Sequence, residues 1–207
     1  MRRLGRGLLE VLGRRSPRSD AGALSLAYVI PVGEEAHNQM RRLQLQMLRE
    51  YGANPGIEVS PHITLKQGFP ARALEPFEAY FDRLAAEVEP FEITLKDYGF
   101  FDDGVIFLDV VPTQRLDALR RRVVRDLSTE FGVQPNALED DRYHFHATLQ
   151  QGLPRASVDR ARRVLQGASV ELRFSCDTLA LLCNTGTGWM TYKRTTLATR
   201  PSRRSPS

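Results

Sequence analysis

The chain is poor in the residues that build covalent cross-links and metal sites. Its 207 residues include two cysteines, four histidines and one tryptophan. The two cysteines, Cys176 and Cys183, do not make a disulfide framework, and their spacing matches no metal motif. They read as free thiols in a reducing compartment, which points to the cytoplasm. No apolar run is long enough to span a bilayer, so stable membrane insertion through a helix is not expected. Met1-Arg2-Arg3 followed by Leu8, Leu9, Val11 and Leu12 has the charge pattern of a signal peptide. Its apolar run is too short, however, and Glu10 and Arg14-Arg15 interrupt it.

Negative charge is scarce at both ends. Residues 1–20 carry six arginines against Glu10 and Asp20, a balance of +4, and residues 193–207 carry five basic residues and no acid, a balance of +5. With a net charge of +4 overall, the body between them stands at −5. Any nonspecific attraction to nucleic acid or anionic surfaces therefore belongs mainly to the tails. The simplest expectation is a frayed basic leader over residues 1–22, a folded domain over 23–199 and a disordered basic tail over 200–207. Leu4, Leu8, Val11 and Leu12 would also line one side of a short amphipathic helix, compatible with a surface contact. An Arg-rich, acid-poor leader also fits an organellar transit peptide in a eukaryotic source.

What the chain does have is an octapeptide that occurs twice. His62-Ile63-Thr64-Leu65-Lys66-Gln67-Gly68-Phe69 returns 84 residues later as His146-Ala147-Thr148-Leu149-Gln150-Gln151-Gly152-Leu153. Each copy alternates apolar with polar residues until a Gly closes the run, the pattern of a strand. Side chains on a strand alternate between faces, so His62 and Thr64 share one face while Ile63 and Leu65 face the core. His146 and Thr148 repeat the arrangement. One copy in each half of the chain suggests two similar lobes rather than a stacked array.

Around the repeats the order of elements is readable. Leu24 to Pro31 reads as a strand, and Glu34 to Tyr51 as a helix stopped by Gly52. Leu74 to Val88 gives a second helix, Phe91 to Lys96 a strand, and Asp102-Asp103-Gly104 a turn into the hairpin partner Val105 to Val111. A third helix carries Leu116, Leu119, Val123, Leu127 and Phe131 on one side. A short helix near Ser157 to Leu165 precedes strands near Val170 to Ser175, Thr178 to Cys183 and Trp189 to Leu197. Asn184-Thr185-Gly186-Thr187-Gly188 lacks the lysine of a phosphate-binding loop and reads as a hairpin turn. About four helices and eight strands in this order define an α+β protein with antiparallel pairing.

Two His-x-Thr strands about eighty residues apart, each after a helix, resemble the two-histidine phosphoesterase superfamily, which includes bacterial RNA 2′,5′-ligase and cyclic phosphodiesterase proteins. The resemblance spans roughly Leu24 to Leu197. It implies a bilobal, pseudo-twofold fold in which two antiparallel sheets line a central groove and helices pack outside. It also implies a metal-independent reaction with no cofactor, on RNA or a nucleotide bearing a cyclic or 2′,5′-linked phosphate. His62 and His146 match the family's catalytic histidines, and Thr64 and Thr148 its phosphate-binding hydroxyls. Many relatives place an Arg or Lys shortly after the second motif, where this chain has Gln150 and Gln151. Lys66, on the face of His62 if the strand stays regular, is then the candidate to supply the charge, with Gln150 in the matching place.

The chemistry of these residue types agrees. Opening a cyclic phosphate with water needs a base for the nucleophile and an acid for the leaving ribose oxygen, and two imidazoles can supply both near neutral pH. A Thr hydroxyl can donate to a nonbridging oxygen. His144 shares the face of His146, so His144, His146 and His62 could instead make a three-histidine metal site. Tyr98, Phe100, Phe101, Tyr143 and Trp189 are candidates to stack on a base. His37 falls in a polar helical stretch and is expected to be exposed. A module that binds RNA or nucleotide without turnover is the other class compatible with the groove, although it has no need for both an acid and a base. Nothing in the sequence implies an obligate protein partner.

Overall fold

A computed structural model describes residues 24–137, 139 and 143–198. The leader over residues 1–22 and the tail over 200–207 lie outside the described residues. Among the described residues four helices and eight strands follow in the order β1 (Leu24–Pro31), α1 (Glu34–Tyr51), β2 (His62–Ala71), α2 (Glu75–Glu87), β3 (Phe91–Phe101), β4 (Val105–Val110), α3 (Gln114–Phe131), β5 (His146–Gln150), α4 (Arg155–Val164), β6 (Glu171–Cys176), β7 (Thr178–Asn184) and β8 (Trp189–Thr196).

The two longest helices have readable causes. In α1 the buried positions Ala36, Met40, Gln44 and Met47 recur at helical spacing, and Gly52 at φ 89° ends the helix. Helix α3 opens on Thr113, whose hydroxyl accepts from the Leu116 amide at 3.2 Å, and closes on Gly132 in the left-handed conformation. All four helices bury their apolar stripes in one continuous cluster, together with Leu26, Tyr28 and Ile30 of β1 and Ile93 and Leu95 of β3. They therefore cover one face of the sheet. Ala27, Val29, Ala180 and Leu182 form a separate small cluster on the other face, against Val59 and Trp189.

The strands form one sheet in the order β6-β3-β4-β5-β2-β1-β7-β8, every neighbouring pair antiparallel. The expectation of two sheets is corrected on this point. The motif strands β2 and β5 are joined at the middle by the pairing of Ile63 with Ala147. Those two residues occupy the same slot of the octapeptide, so the seam coincides with the pseudo-twofold axis. Across it, four strands on one side answer four on the other. The halves are also interlocked on the helical face, where α1 lies against β5 and α3 against β2.

Both motif strands carry a bulge at the same place. Val29 pairs with Thr64 and Tyr28 with Lys66, which leaves Leu65 unopposed. Phe107 pairs with Thr148 and Ile106 with Gln150, which leaves Leu149 unopposed. An extra residue re-aims the side chains that follow it, so Lys66 and Gln150 turn away from the face of the histidines and into the interior. There Lys66 Nζ bonds Glu139 Oε2 at 2.5 Å, with side chains 1% and 0% exposed. Gln150 Nε2 donates to the carbonyls of Ala53 and Gly52 at 2.9 and 3.3 Å. Each thus ties down the loop that follows the helix of the opposite half.

The Glu139 carboxylate also accepts from the amides of Gln67 and Asn136, at 2.8 and 2.9 Å. It pins the loop after α3 to β2. Removing one member of such a buried pair leaves the other charge without compensation, which costs on the order of 3–5 kcal/mol. Lys66→Ala should lower the urea unfolding free energy by about that amount; a loss below about 1 kcal/mol would mean the pair behaves as a solvated surface bridge.

Candidate active site in the groove

The helix-free face of the sheet presents His62 and Thr64 from β2 and His146 and Thr148 from β5, all half-buried. The strand geometry expected for the repeats holds up to Thr64 and Thr148 and fails one residue later, at the bulges. Backbone bonds from the helical side fix both threonines. Tyr143 Oη donates to the Thr64 carbonyl at 2.9 Å, and Gln44 Nε2 to the Thr148 carbonyl at 3.0 Å. Among the described residues neither threonine hydroxyl is committed to a protein partner, which leaves both able to donate into the groove.

The two imidazoles are held alike. His62 Nδ1 lies 2.8 Å from the Ser60 carbonyl, and His146 Nδ1 lies 2.9 Å from the His144 carbonyl. A carbonyl oxygen only accepts, so Nδ1 carries the proton in each ring. Nε2 is then the nitrogen left for substrate, basic when the ring is neutral and a donor when it is protonated. Burial pushes His62 below the usual histidine range, against the opposing effect of its bond to the Ser60 carbonyl. Burial likewise carries His146 down to about 4; its bond to the His144 carbonyl opposes this, the charges of His144 and His62 add to it, and that of Asp109 opposes it.

The remaining candidates divide. Lys66 and Gln150 are not in the groove, for the reason given by the bulges. Tyr143 is on the helical side, against the main core, with the Arg120 guanidinium 3.9 Å from its ring centroid. It supports Thr64 from behind. His144 is at the rim of the site but turns to β4, with Nε2 2.5 Å from Asp109 Oδ1. Among the described residues, no three His, Cys, Asp or Glu side chains are disposed to hold a metal ion, and His144 does not converge with His62 and His146. His37 is half-buried rather than exposed, and burial together with Arg41 and Arg194 lowers its pKa.

Of the aromatic candidates, Tyr98 packs against the core and Phe100 lies under Arg162. Phe101 stands edge-on to His146, with centroids 5.0 Å apart, and to His144 at 5.5 Å. Trp189 lies on Gly68, where an added Cβ would come within 2.8 Å of the indole. Phe107 and Asp109, which sequence reasoning missed, face the groove as the register partners of Thr148 and His146. The signal lay in the hairpin: once β4 pairs with β5, its odd-numbered residues share the face of the histidines.

Fold and site together define the class: the chain belongs to the 2′-5′ RNA ligase superfamily, whose family profile matches residues 32–188. Membership places it among enzymes of phosphodiester chemistry, ligase or phosphoesterase in the general sense. Among solved structures it is similar to E. coli LigT in its apo form, with a TM-score of 0.59, 18% identity, and coverage of 86% of this chain and 99% of that one. It is also similar to TT0787 of Thermus thermophilus, with a TM-score of 0.57, 17% identity, and coverage of 84% and 97%. A third structure described as a phosphoesterase aligns at 0.55 and 18% identity, over 84% and 98%. At these identities the likeness is one of fold. No curated protein matches the chain significantly. Among the described residues no helix is long and apolar enough to cross a membrane.

The depressed His146 value has a consequence for stability. Between about pH 4 and the unperturbed 6.5 the unfolded ring binds more proton than the folded one, so stability from this group is complete above 6.5 and is lost as pH falls through the window. Between pH 6.5 and 5 the wild type should lose more unfolding free energy than His146→Gln. Parallel losses would place the folded His146 near its ordinary value.

Proposed function

We propose that the protein is a metal-independent phosphoesterase that opens 2′,3′-cyclic phosphates on RNA ends or nucleotides, and that it also forms a 2′,5′ linkage, reversibly, when a 5′-hydroxyl takes the place of water. The observation that carries this reading is the matched pair of Nδ1–carbonyl bonds, which leaves one open Nε2 on each side of a groove flanked by two uncommitted threonine hydroxyls. E. coli LigT has been crystallised with 3′-AMP and with phosphate. A nucleotide phosphate in the groove between His62 and His146 is the reading we extend to this chain.

In the reaction, the cyclic phosphate lies between the two rings. One neutral imidazole takes a proton from water at Nε2 as the water oxygen bonds to phosphorus. The other, protonated at Nε2, gives its proton to the ribose oxygen as the P–O bond breaks. Thr64 and Thr148 donate to the nonbridging oxygens, whose charge they hold through the transition state. Both imidazoles are depressed in the free protein, and the dianionic character developing on phosphate opposes that depression and favours one protonated ring. With a 5′-hydroxyl in place of water the same step forms a 2′,5′ linkage, and cleavage of that linkage exchanges the acid and base roles, so hydrolysis and ligation would use the same four residues.

Four outcomes test the reading. In excess EDTA the protein should hydrolyse adenosine 2′,3′-cyclic phosphate or a short RNA ending in a 2′,3′-cyclic phosphate. His62→Ala and His146→Ala should each remove nearly all turnover without unfolding the protein. Activity that needs added metal would overturn the acid and base assignment, and tight binding without turnover would favour a binding module. Thr64→Val or Thr148→Val should cost on the order of 2.7–4 kcal/mol in the barrier, about the loss of one oxyanion donor. Because the pH dependence of kcat/KM reports the free protein, and both histidines are depressed there, its optimum should lie on the acid side of 6.5; an optimum above 7 would mean that the rings are not depressed in the free protein.

A further inference from the structure

The cation expected beside the motifs is not where the sequence suggested, since Lys66 is held by Glu139 and Gln150 by loop carbonyls. The sheet supplies another. Thr64 pairs with Val29, Val29 with Ala180, and Ala180 with Arg194, so one cross-strand row runs from β2 through β1 and β7 to β8. Partners in a row share a face. Arg194 therefore stands on the groove side, while its neighbour Lys193 turns to the helical side and bonds Asp82 at 2.8 Å. The two residues between Arg194 and Thr64, Val29 and Ala180, are apolar and buried.

The Arg194 guanidinium comes within 3.5 Å of Ser60 Oγ, two residues ahead of His62. It is also close enough to His37 to lower its pKa, as is Arg41. Arg41 is engaged by the carbonyls of Ile57 and Val59 and by Gln44, none of them charged. Among the described residues neither guanidinium has a carboxylate partner, and Arg194, on the groove side, leaves its positive charge uncompensated at the His62 end. The opposite end differs. There Asp109 is the register partner of His146, and the one cation of that row, Lys96, is flanked in register by Asp109 and Glu171.

We propose that Arg194 holds a second phosphate of the substrate, separate from the one that reacts, and so orients the nucleotide with its further phosphate over β8 and away from Asp109. The assignment rests on the nucleotide reading of the groove above. A planar guanidinium offers paired donors to a phosphate, and its bonds are charge-assisted. Its position at a rim open to solvent lets the rest of a longer strand leave the groove on the same side.

The test uses two substrates that differ by one phosphate, adenosine 2′,3′-cyclic phosphate and the same compound bearing a 5′-phosphate, with the full chain and its Arg194→Ala and Arg194→Lys variants. The wild type should prefer the 5′-phosphorylated substrate in kcat/KM through a lower KM. Arg194→Ala should reduce that preference about tenfold, the scale of one charge-assisted bond, and Arg194→Lys should restore part of it. An equal loss on both substrates, or no loss, would overturn the assignment. Calorimetry with adenosine 2′-monophosphate and adenosine 2′,5′-bisphosphate reads the same preference without turnover. Its absence in the wild type, or its survival in Arg194→Ala, would also overturn it. A wild type that binds with this preference but hydrolyses neither compound would instead remove the proposed function and leave the Arg194 site standing.

Discussion

A histidine on the open face of a sheet can offer either ring nitrogen, and here the main chain makes the choice. The Ser60 and His144 carbonyls, each two residues upstream of its histidine, accept a hydrogen bond from Nδ1–H at 2.8 and 2.9 Å. Two rings from distant parts of the chain thereby acquire one tautomer and one free nitrogen. Much of the surrounding structure keeps those carbonyls and strands in place. Arg41 reaches the Ile57 and Val59 carbonyls just before Ser60, and β4 pairs with β5 through Asp109 and His146. Fixing donors and acceptors in advance removes reorganisation from the step in which a proton moves, which is where preorganised sites gain most.

The same economy appears in the way the halves are joined. Direct pairing between β2 and β5 is limited to Ile63 with Ala147, which alone would make a narrow connection. The bulges after Thr64 and Thr148 compensate by sending Lys66 and Gln150 into the interior, where each grips the loop behind the other half's helix. Asn54 adds a bond to the Leu149 carbonyl at 2.8 Å. The groove is consequently bounded by strands anchored across the pseudo-twofold axis. Its symmetry stops at the rims, where Ser60 meets Arg194 on one side and His144 meets Asp109 on the other.

Much of this was legible in the sequence because periodic patterns carry it. The stripe of α1, the Gly52 stop, the hairpin through Asp102-Asp103-Gly104 and the face shared by His62 and Thr64 all follow from local spacing, and the described elements agree with them. The single sheet did not follow, because one bridged pair leaves no periodic trace. Lys66 was misplaced because a bulge adds one residue to a strand without altering its composition, and every side chain beyond it changes face. Tyr143 looked like a groove aromatic because its bond to the Thr64 carbonyl is a contact across 79 residues. Asp109, Phe107 and Arg194 come to the groove face through register, which only the assembled sheet reveals.

The state of the two rings is directly measurable. Long-range proton–nitrogen correlation spectra of the ¹⁵N-histidine-labelled protein near pH 7 distinguish a protonated from an unprotonated ring nitrogen. The account predicts that His62 and His146, assigned by their Ala variants, both appear neutral with the proton on Nδ1, and that a bound nucleotide phosphate adds a proton at one Nε2. A proton on Nε2 of either ring in the neutral free protein would contradict it.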